Sequence, residues 1–243
     1  MTMTTDASTD PAGTTPPTGP IYRLTAITKT YSQKGRSIVA LKGVDLDLQA
    51  GDFVAVQGPT GGGKSTFLQL LGALDRPTSG SIALGGTELS NASDAALGRL
   101  RATEIGFVFQ GFNLIPTLTA IENVEMALEP LHVPAADRRR RAAEALAQVQ
   151  LADRQDHLPG ELSGGQQQRV AIARAIVKDP RVLLADEPTG NLDEQTRDEI
   201  MAVLTALNAT GLTLVVVTHD SHVARMAQRR LRLKQGAVTE LAT

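Results

Sequence analysis

Cysteine and tryptophan are both missing from the 243 residues, and there are only two tyrosines and five phenylalanines. Without thiols there is no disulfide framework, no thiolate metal site and no cysteine nucleophile, which fits a reducing compartment. Aromatics at 3% are too few to build a platform on which nucleic-acid bases stack. A surplus of one charge is missing too. Lys and Arg number 24 against 26 Asp and Glu, a formal net charge of −2, whereas a generic nucleic-acid binder carries a basic excess. No apolar run, Leu214–Val217 included, approaches the roughly 20 residues of a membrane-spanning helix. The opening MTMTTDASTDPAGTTPPTGP has no basic n-region and no apolar h-region, so it does not read as a signal peptide. What these absences leave is a globular chain, 42% apolar and 21% charged, expected to be soluble and cytoplasmic.

Residues 1–20 are rich in Thr, Pro, Ala, Asp and Gly and cannot repay the entropy of ordering, so they are expected to be a disordered tail. Residues 21–243 read as one domain. Apolar/polar alternation predicts half-buried strands at Ile21–Ile27 and Val44–Leu48, with an extended loop at Ser32–Val39. A buried strand at Phe53–Val56 leads into a Gly-rich turn and a helix from Lys64 to Leu74. A strand follows at Ser81–Leu84. The middle third predicts helices at Asp94–Arg101, Ile121–Leu128 and Pro134–Val149 around a strand at Ile105–Phe109. Its basic run Arg138–Arg141 reads as a solvated helix face, because four consecutive residues point around the whole helix. Strand–helix alternation then returns. Strands are expected at Val182–Ala185 and Leu212–Val217, helices at Glu194–Leu207 and Ser221–Ala227, and an edge strand at Arg229–Lys234. Buried strands alternating with helices imply an α/β class with a parallel sheet, interrupted by a helical lobe inserted at about 94–178. There is no internal repeat.

The strongest chemical signal is Gly58-Pro59-Thr60-Gly61-Gly62-Gly63-Lys64-Ser65-Thr66, which satisfies G-x-x-x-x-G-K-[ST] between a buried strand and a helix. Glycines let successive N–H groups turn inward around a phosphate, and the helix N-terminus adds partial positive charge. Lys64 reaches the β- and γ-phosphates of a nucleotide, and the Ser65 hydroxyl is placed to ligate Mg²⁺. A second element is Arg181-Val-Leu-Leu-Ala-Asp186-Glu187, an apolar strand ending in adjacent carboxylates. Asp186 is expected to hold Mg²⁺, and Glu187 to take the proton of an attacking water. Acidic residues often cap strand–helix turns, but that accounts for one carboxylate and not for the pair.

The third element, Leu162-Ser163-Gly164-Gly165-Gln166 ahead of a helix read as Gln167–Lys178, narrows the class. Here the chain resembles the ATP-binding-cassette (ABC) ATPases, whose signature reads LSGGQ. The resemblance runs from about Ile21 to Gly236. It implies a P-loop core with an N-terminal antiparallel β subdomain and an inserted helical subdomain. It also implies ATP and Mg²⁺, and a head-to-tail homodimer in which the signature of one copy closes over the nucleotide of the other. Tyr31 resembles the aromatic that stacks on adenine, with Tyr22 as its rival. Gln110 resembles the glutamine that contacts Mg²⁺ and the attacking water and joins the two lobes. Asp193 resembles the aspartate at the dimer seam, and His219 the histidine that contacts the γ-phosphate. His132, His157 and His222 have no such context and read as surface residues.

The form Gly190-Asn-Leu-Asp193, in place of the commoner Ser-Ala-Leu-Asp, is similar to the subgroup of lipoprotein-release, macrolide-efflux and cell-division ATPases (LolD/MacB/FtsE-like). The implied role is the ATPase of a transporter with a separate transmembrane permease, FtsX/MacB-like, docking near Gln110–Thr119. That would hold the chain peripherally on the inner face of the membrane, with no nucleic-acid partner. Two other roles stay open: an FtsE-like regulator of a cell-wall hydrolase partner, and a non-transport ABC ATPase such as an iron–sulfur assembly ATPase.

Overall fold

A computed structural model describes residues 19–33 and 36–241. The expected tail lies outside them except for Gly19 and Pro20. Six strands make the central sheet: β3 (Phe53–Gln57), β6 (Ile105–Phe109), β7 (Val182–Asp186), β8 (Thr213–Val217), β9 (Arg229–Lys234) and β10 (Ala237–Leu241). Their order is β10-β9-β3-β8-β7-β6, with every pair parallel except β10 with β9. A second, antiparallel sheet runs β2-β1-β4-β5, from β1 (Tyr22–Gln33), β2 (Arg36–Leu48), β4 (Ser79–Leu84) and β5 (Thr87–Glu88).

The central strands are buried on both faces, which is why they read as unbroken apolar runs. Along β7, Leu183 and Ala185 face one layer and Val182 and Leu184 the other. The second layer holds α1 (Lys64–Leu71), α2 (Asp94–Thr103) and the antiparallel sheet. The first holds α3 (Ala120–Glu125), α4 (Ala135–Gln148), α5 (Gly164–Ile176), α6 (Glu194–Ala209) and α7 (Ser221–Arg225). Truncating a side chain such as Leu184, fully buried between the layers, would cost roughly 2–5 kcal/mol. The second expected aromatic, Tyr22, belongs to this core: its ring is buried and its hydroxyl donates to the Leu71 carbonyl at 2.7 Å.

Several elements differ from expectation. Arg229–Lys234 is not an edge strand, because β10, whose residues alternate weakly, covers it. Much of the expected loop at Ser32–Val39 is strand: β1 and β2 continue outward in register, pairing Tyr31 with Ile38 and Gln33 with Arg36. Helix α1 stops at Leu71 and not Leu74, where Gly72 caps it and Ala73 takes a positive φ. Helix α3 ends at Glu125 and gives way to a 3-10 turn, Met126–Leu131, that contains Pro130. Within 94–178, the expected helical insertion, β6 pairs with β7 as part of the central sheet. The arginine run is engaged on several sides of α4: Arg138 pairs with Glu129, Arg139 with Glu125 and Asp156, and Arg140 with Asp137 and Glu144.

Candidate functional site

Register brings the chemistry together. Phe109, Asp186 and Val217 are aligned neighbours, and Val56 pairs with Val217. The residues just beyond these strand ends therefore share one edge of the sheet: Gln110, Glu187, Thr218-His219, and the loop that starts at Gly58.

The loop from Gly58 to Gly63 wraps back onto itself, with the Gly62 N–H donating to the Pro59 carbonyl at 3.0 Å. Gly63 caps α1 in the left-handed region, at φ 99°, and a Cβ there would lie 2.5 Å from the Ala40 carbonyl oxygen. No side chain caps this helix, so the N–H groups of its first turn lack a side-chain acceptor, the condition under which a helix N-terminus can take an anion. Lys64 Nζ lies across the loop and donates to the carbonyls of Gly58 (2.8 Å) and Pro59 (3.1 Å). Ser65 is exposed and Thr66 half-buried. Thr66 also reaches the Tyr31 hydroxyl, at 3.4 Å, and that hydroxyl donates to Asp75 at 3.0 Å. The ammonium of Lys29 stands 4.9 Å from the centre of the Tyr31 ring. Tyr31 is thus fixed beside the start of α1 and not free at the tip of a loop.

Asp186 ends β7 half-buried. Burial and the neighbouring Glu187 charge raise its carboxyl above the ordinary range, against the opposing pull of Lys64. An Mg²⁺ ion held mainly by nucleotide phosphates and water needs one or two protein carboxylates. Asp186 with the Ser65 hydroxyl fits that donor set, and among the described residues no larger His/Asp/Glu group competes for a metal. Glu187 adopts φ 47°, a left-handed conformation that costs a non-glycine residue roughly 1–2 kcal/mol. The turn swings its carboxylate toward the end of β8, where Oε1 meets His219 Nδ1 at 2.9 Å.

The signature differs from expectation in one respect: its glycines do not precede the helix but open it. Helix α5 starts at Gly164, capped reciprocally, with the Gln166 N–H donating to Ser163 Oγ (3.3 Å) and the Ser163 N–H to Gln166 Oε1 (2.9 Å). This is the S-x-x-Q capping box, which two glycines in a row disguise as a turn. Ser163 still has its own O–H to donate. Leu162 is buried, while Ser163, Gly165 and Gln166 border a polar hollow with Arg169 and Thr196. A Cβ on Gly165 would lie 2.4 Å from Thr196 Cγ2, so only glycine allows α5 and α6 this approach. Asp193 caps α6, accepting from the Thr196 N–H (2.9 Å) and hydroxyl (2.7 Å), and these bonds hold its carboxyl low.

Gln110 hydrogen-bonds across to Asn191 on the loop after β7. Beyond it, Phe112 and Asn113 both have positive φ, and the Asn113 N–H donates to the Gly111 carbonyl, a strained three-residue turn. Arg174 of α5 braces that turn by donating to the carbonyls of Phe112 (2.8 Å) and Asn113 (2.5 Å). Burial lowers its guanidinium pKa. No sequence motif singles out Arg174; only the fold brings it to this loop. Of the other histidines, His132 and His222 are exposed, whereas His157 is half-buried.

Sequence comparison agrees with this geometry. The profile of the ABC transporter family matches residues 41–190. The macrolide export ATP-binding/permease protein MacB of Brucella melitensis is 46% identical over 219 residues, 90% of this chain but 34% of that protein. The chain thus spans about a third of the MacB relatives it matches. An uncharacterized ABC transporter ATP-binding protein, MJ0796 of Methanocaldococcus jannaschii, is 48% identical over 223 residues, 90% of this chain and 95% of that one. A dimeric post-hydrolysis structure of MJ0796 bound to ADP and Pi superposes with a TM-score of 0.83 at 45% identity, covering 91% of this chain and 99% of that one. The chain belongs to the ABC transporter family and is an ATP-binding, ATP-hydrolysing cassette of the MacB/MJ0796 type.

Proposed function

We propose that two copies of this cassette bind head to tail around two ATP molecules, and that ATP hydrolysis between them drives a separate transmembrane permease of the FtsX/MacB-like kind. The observation that carries the reading is the placement of the two anion cradles. The loop Gly58–Thr66 opens α1 on one face of the central sheet, and Ser163–Gln166 opens α5 on the other. The two cradles thus open from opposite layers of one chain, which supports their holding different nucleotides. A second copy related by a two-fold axis completes each site. MJ0796, 45% identical to this chain, has been solved as a dimer, once bound to ADP and Pi, which supports pairing of two copies.

Within one site, Tyr31 packs against the adenine, and the N–H groups of Gly61, Gly62, Gly63 and Lys64 hold the phosphates with the Lys64 ammonium. Ser65, Asp186 and Gln110 would hold Mg²⁺, which would supply neutralisation of the charge building on the transferred phosphoryl group. Glu187 accepts the proton of the attacking water. His219 stands at the γ-phosphate, oriented by Glu187. Ser163 and the Gly165 N–H of the partner copy close the site, and Asp193 lies at the seam.

The permease surface is narrower than Gln110–Thr119 as a whole. Phe112 and Leu114 are half-buried, and of the apolar residues there Ile115 is the exposed one. Met126 and Leu158 are exposed on the same helical lobe. Among the described residues no helix is long and apolar enough to cross a membrane. The relatives MJ0796 and YknY of Bacillus subtilis are named ATP-binding proteins, and the separate permease is proposed by analogy with them.

Paired variants test the composite site. Lys64→Ala is expected to weaken ATP binding to the monomer, whereas Ser163→Arg keeps monomer affinity and loses hydrolysis. Hydrolysis by Ser163→Arg at the parental rate would overturn the reading.

A further inference from the structure

Gln110 and Asn191 bind each other twice. Gln110 Nε2 donates to Asn191 Oδ1 at 3.0 Å, and Asn191 Nδ2 donates to the backbone carbonyl of Gln110 at 3.1 Å. The second bond sets the first. A carbonyl only accepts, so the Asn191 atom facing it must be Nδ2, and the other arm of that amide is then Oδ1. Only a donor suits Oδ1, so Gln110 must offer Nε2, and its Oε1 is left for another partner. Gly190 leaves room for this arrangement: a Cβ there would stand 2.8 Å from Gln110 Nε2. The Gly190 N–H also donates to the Glu187 carbonyl at 3.1 Å, so Glu187 and Asn191 ride on one tight loop.

We propose that Asn191 is a positioning residue for hydrolysis, which fixes the Gln110 carboxamide with Oε1 turned to the metal and attacking water. The inference rests on the proposed role of Gln110 as their ligand. It gives the Gly-Asn form of the loop after β7 a chemical task, since the alanine that the commoner Ser-Ala form places at position 191 can neither accept from a glutamine amide nor donate to its backbone. It also ties the position of Gln110 to the loop that carries the general base.

The test combines kinetics with a readout that needs neither nucleotide nor metal. Steady-state kinetics are measured for Asn191→Ala, Gln110→Ala and the double variant. In the ligand-free protein, the side-chain amide resonances of Gln110, assigned through their loss in Gln110→Ala, are followed by ¹⁵N NMR. Each single variant is expected to lower kcat roughly five- to tenfold, as losing one or two exposed hydrogen bonds at a reacting group does, with KM for ATP within about twofold. The double variant is expected to be no slower than Gln110→Ala, and Asn191→Ala is expected to shift the Gln110 amide pair. Parental kcat in Asn191→Ala beside a slow Gln110→Ala, an unmoved amide pair, or losses that multiply in the double variant would each overturn the proposal alone. Parental kcat in Gln110→Ala would overturn the reading of Gln110 itself.

Discussion

Glu187 holds His219 at two points. Its Oε1 lies 2.9 Å from His219 Nδ1, and its Oε2 accepts the backbone N–H of the same residue at 3.3 Å. In a neutral imidazole this places the proton on Nδ1 and leaves Nε2 as an acceptor on an exposed ring. The left-handed turn at Glu187 is what brings its carboxylate there, so local strain is traded for a defined carboxylate–imidazole pair.

The first prediction concerns that pair. Glu187→Gln keeps the shape of the side chain and removes the carboxylate proposed as the base. Hydrolysis is expected to fall by about 10²–10⁴-fold, the range of general base catalysis, while ATP affinity stays within a few-fold. Phosphate release and equilibrium nucleotide titration measure the two quantities. Turnover near the parental rate would show that another group takes the proton.

Asp186 offers a trade between stability and function. Its charge is half-buried beside Glu187, which raises its pKa and makes the ionised form costly in the free protein. Asp186→Asn is expected to raise the Tm of the nucleotide-free, metal-free protein at neutral pH and to weaken Mg²⁺-dependent ATP hydrolysis at least tenfold. Thermal melts and a Mg²⁺ titration of the rate decide it, and a lowered Tm would contradict the electrostatic account.

Arg174 braces the strained turn at Phe112 and Asn113 from the signature helix. Arg174→Ala leaves two carbonyls without this donor. It is expected to destabilise the protein by about 1–3 kcal/mol and to speed amide hydrogen exchange at residues 110–115 beyond the global effect. Exchange that rises evenly over the whole chain would mean that the guanidinium only packs.

Lys178 supplies a pH dependence. It follows α5, its ammonium donates to the Arg101 carbonyl, and burial pulls its pKa down to about 8. Between about pH 8 and the ordinary lysine value of 10.5, the unfolded chain keeps a proton that the folded protein has released. The contribution of this group to stability therefore rises with pH across that window. Below pH 8, both states carry the charge and its burial costs most. Lys178→Met is expected to remove this rise from denaturation curves taken between pH 7.5 and about 10. An unchanged slope would place the titration elsewhere.

Much of the site was legible because its motifs are local. Gly58–Thr66 lie in one strand–loop–helix unit, and Asp186-Glu187 end a buried strand whose apolar run announces itself. The start of α5 was not, because paired glycines signal a turn more strongly than Ser163 and Gln166 signal a cap. The strand β10 escaped because its side chains are mostly exposed and do not alternate cleanly. Asn191 and Arg174 have no local signature at all. Their partners lie 81 and about 60 residues away, so their roles exist only once β6, β7 and α5 are packed. Of the two tyrosines, Tyr22, already the less favoured rival in the sequence, is buried in the core, while Tyr31 stays half-buried beside α1.

The central claim is that the site is completed by a second copy. Analytical ultracentrifugation of Glu187→Gln with and without ATP tests it most directly. The account predicts a monomer of 25.7 kDa without nucleotide. With ATP it predicts a species of twice that mass, which Ser163→Arg added to the same chain abolishes. A Glu187→Gln protein that is saturated with ATP and still sediments as a monomer would contradict it.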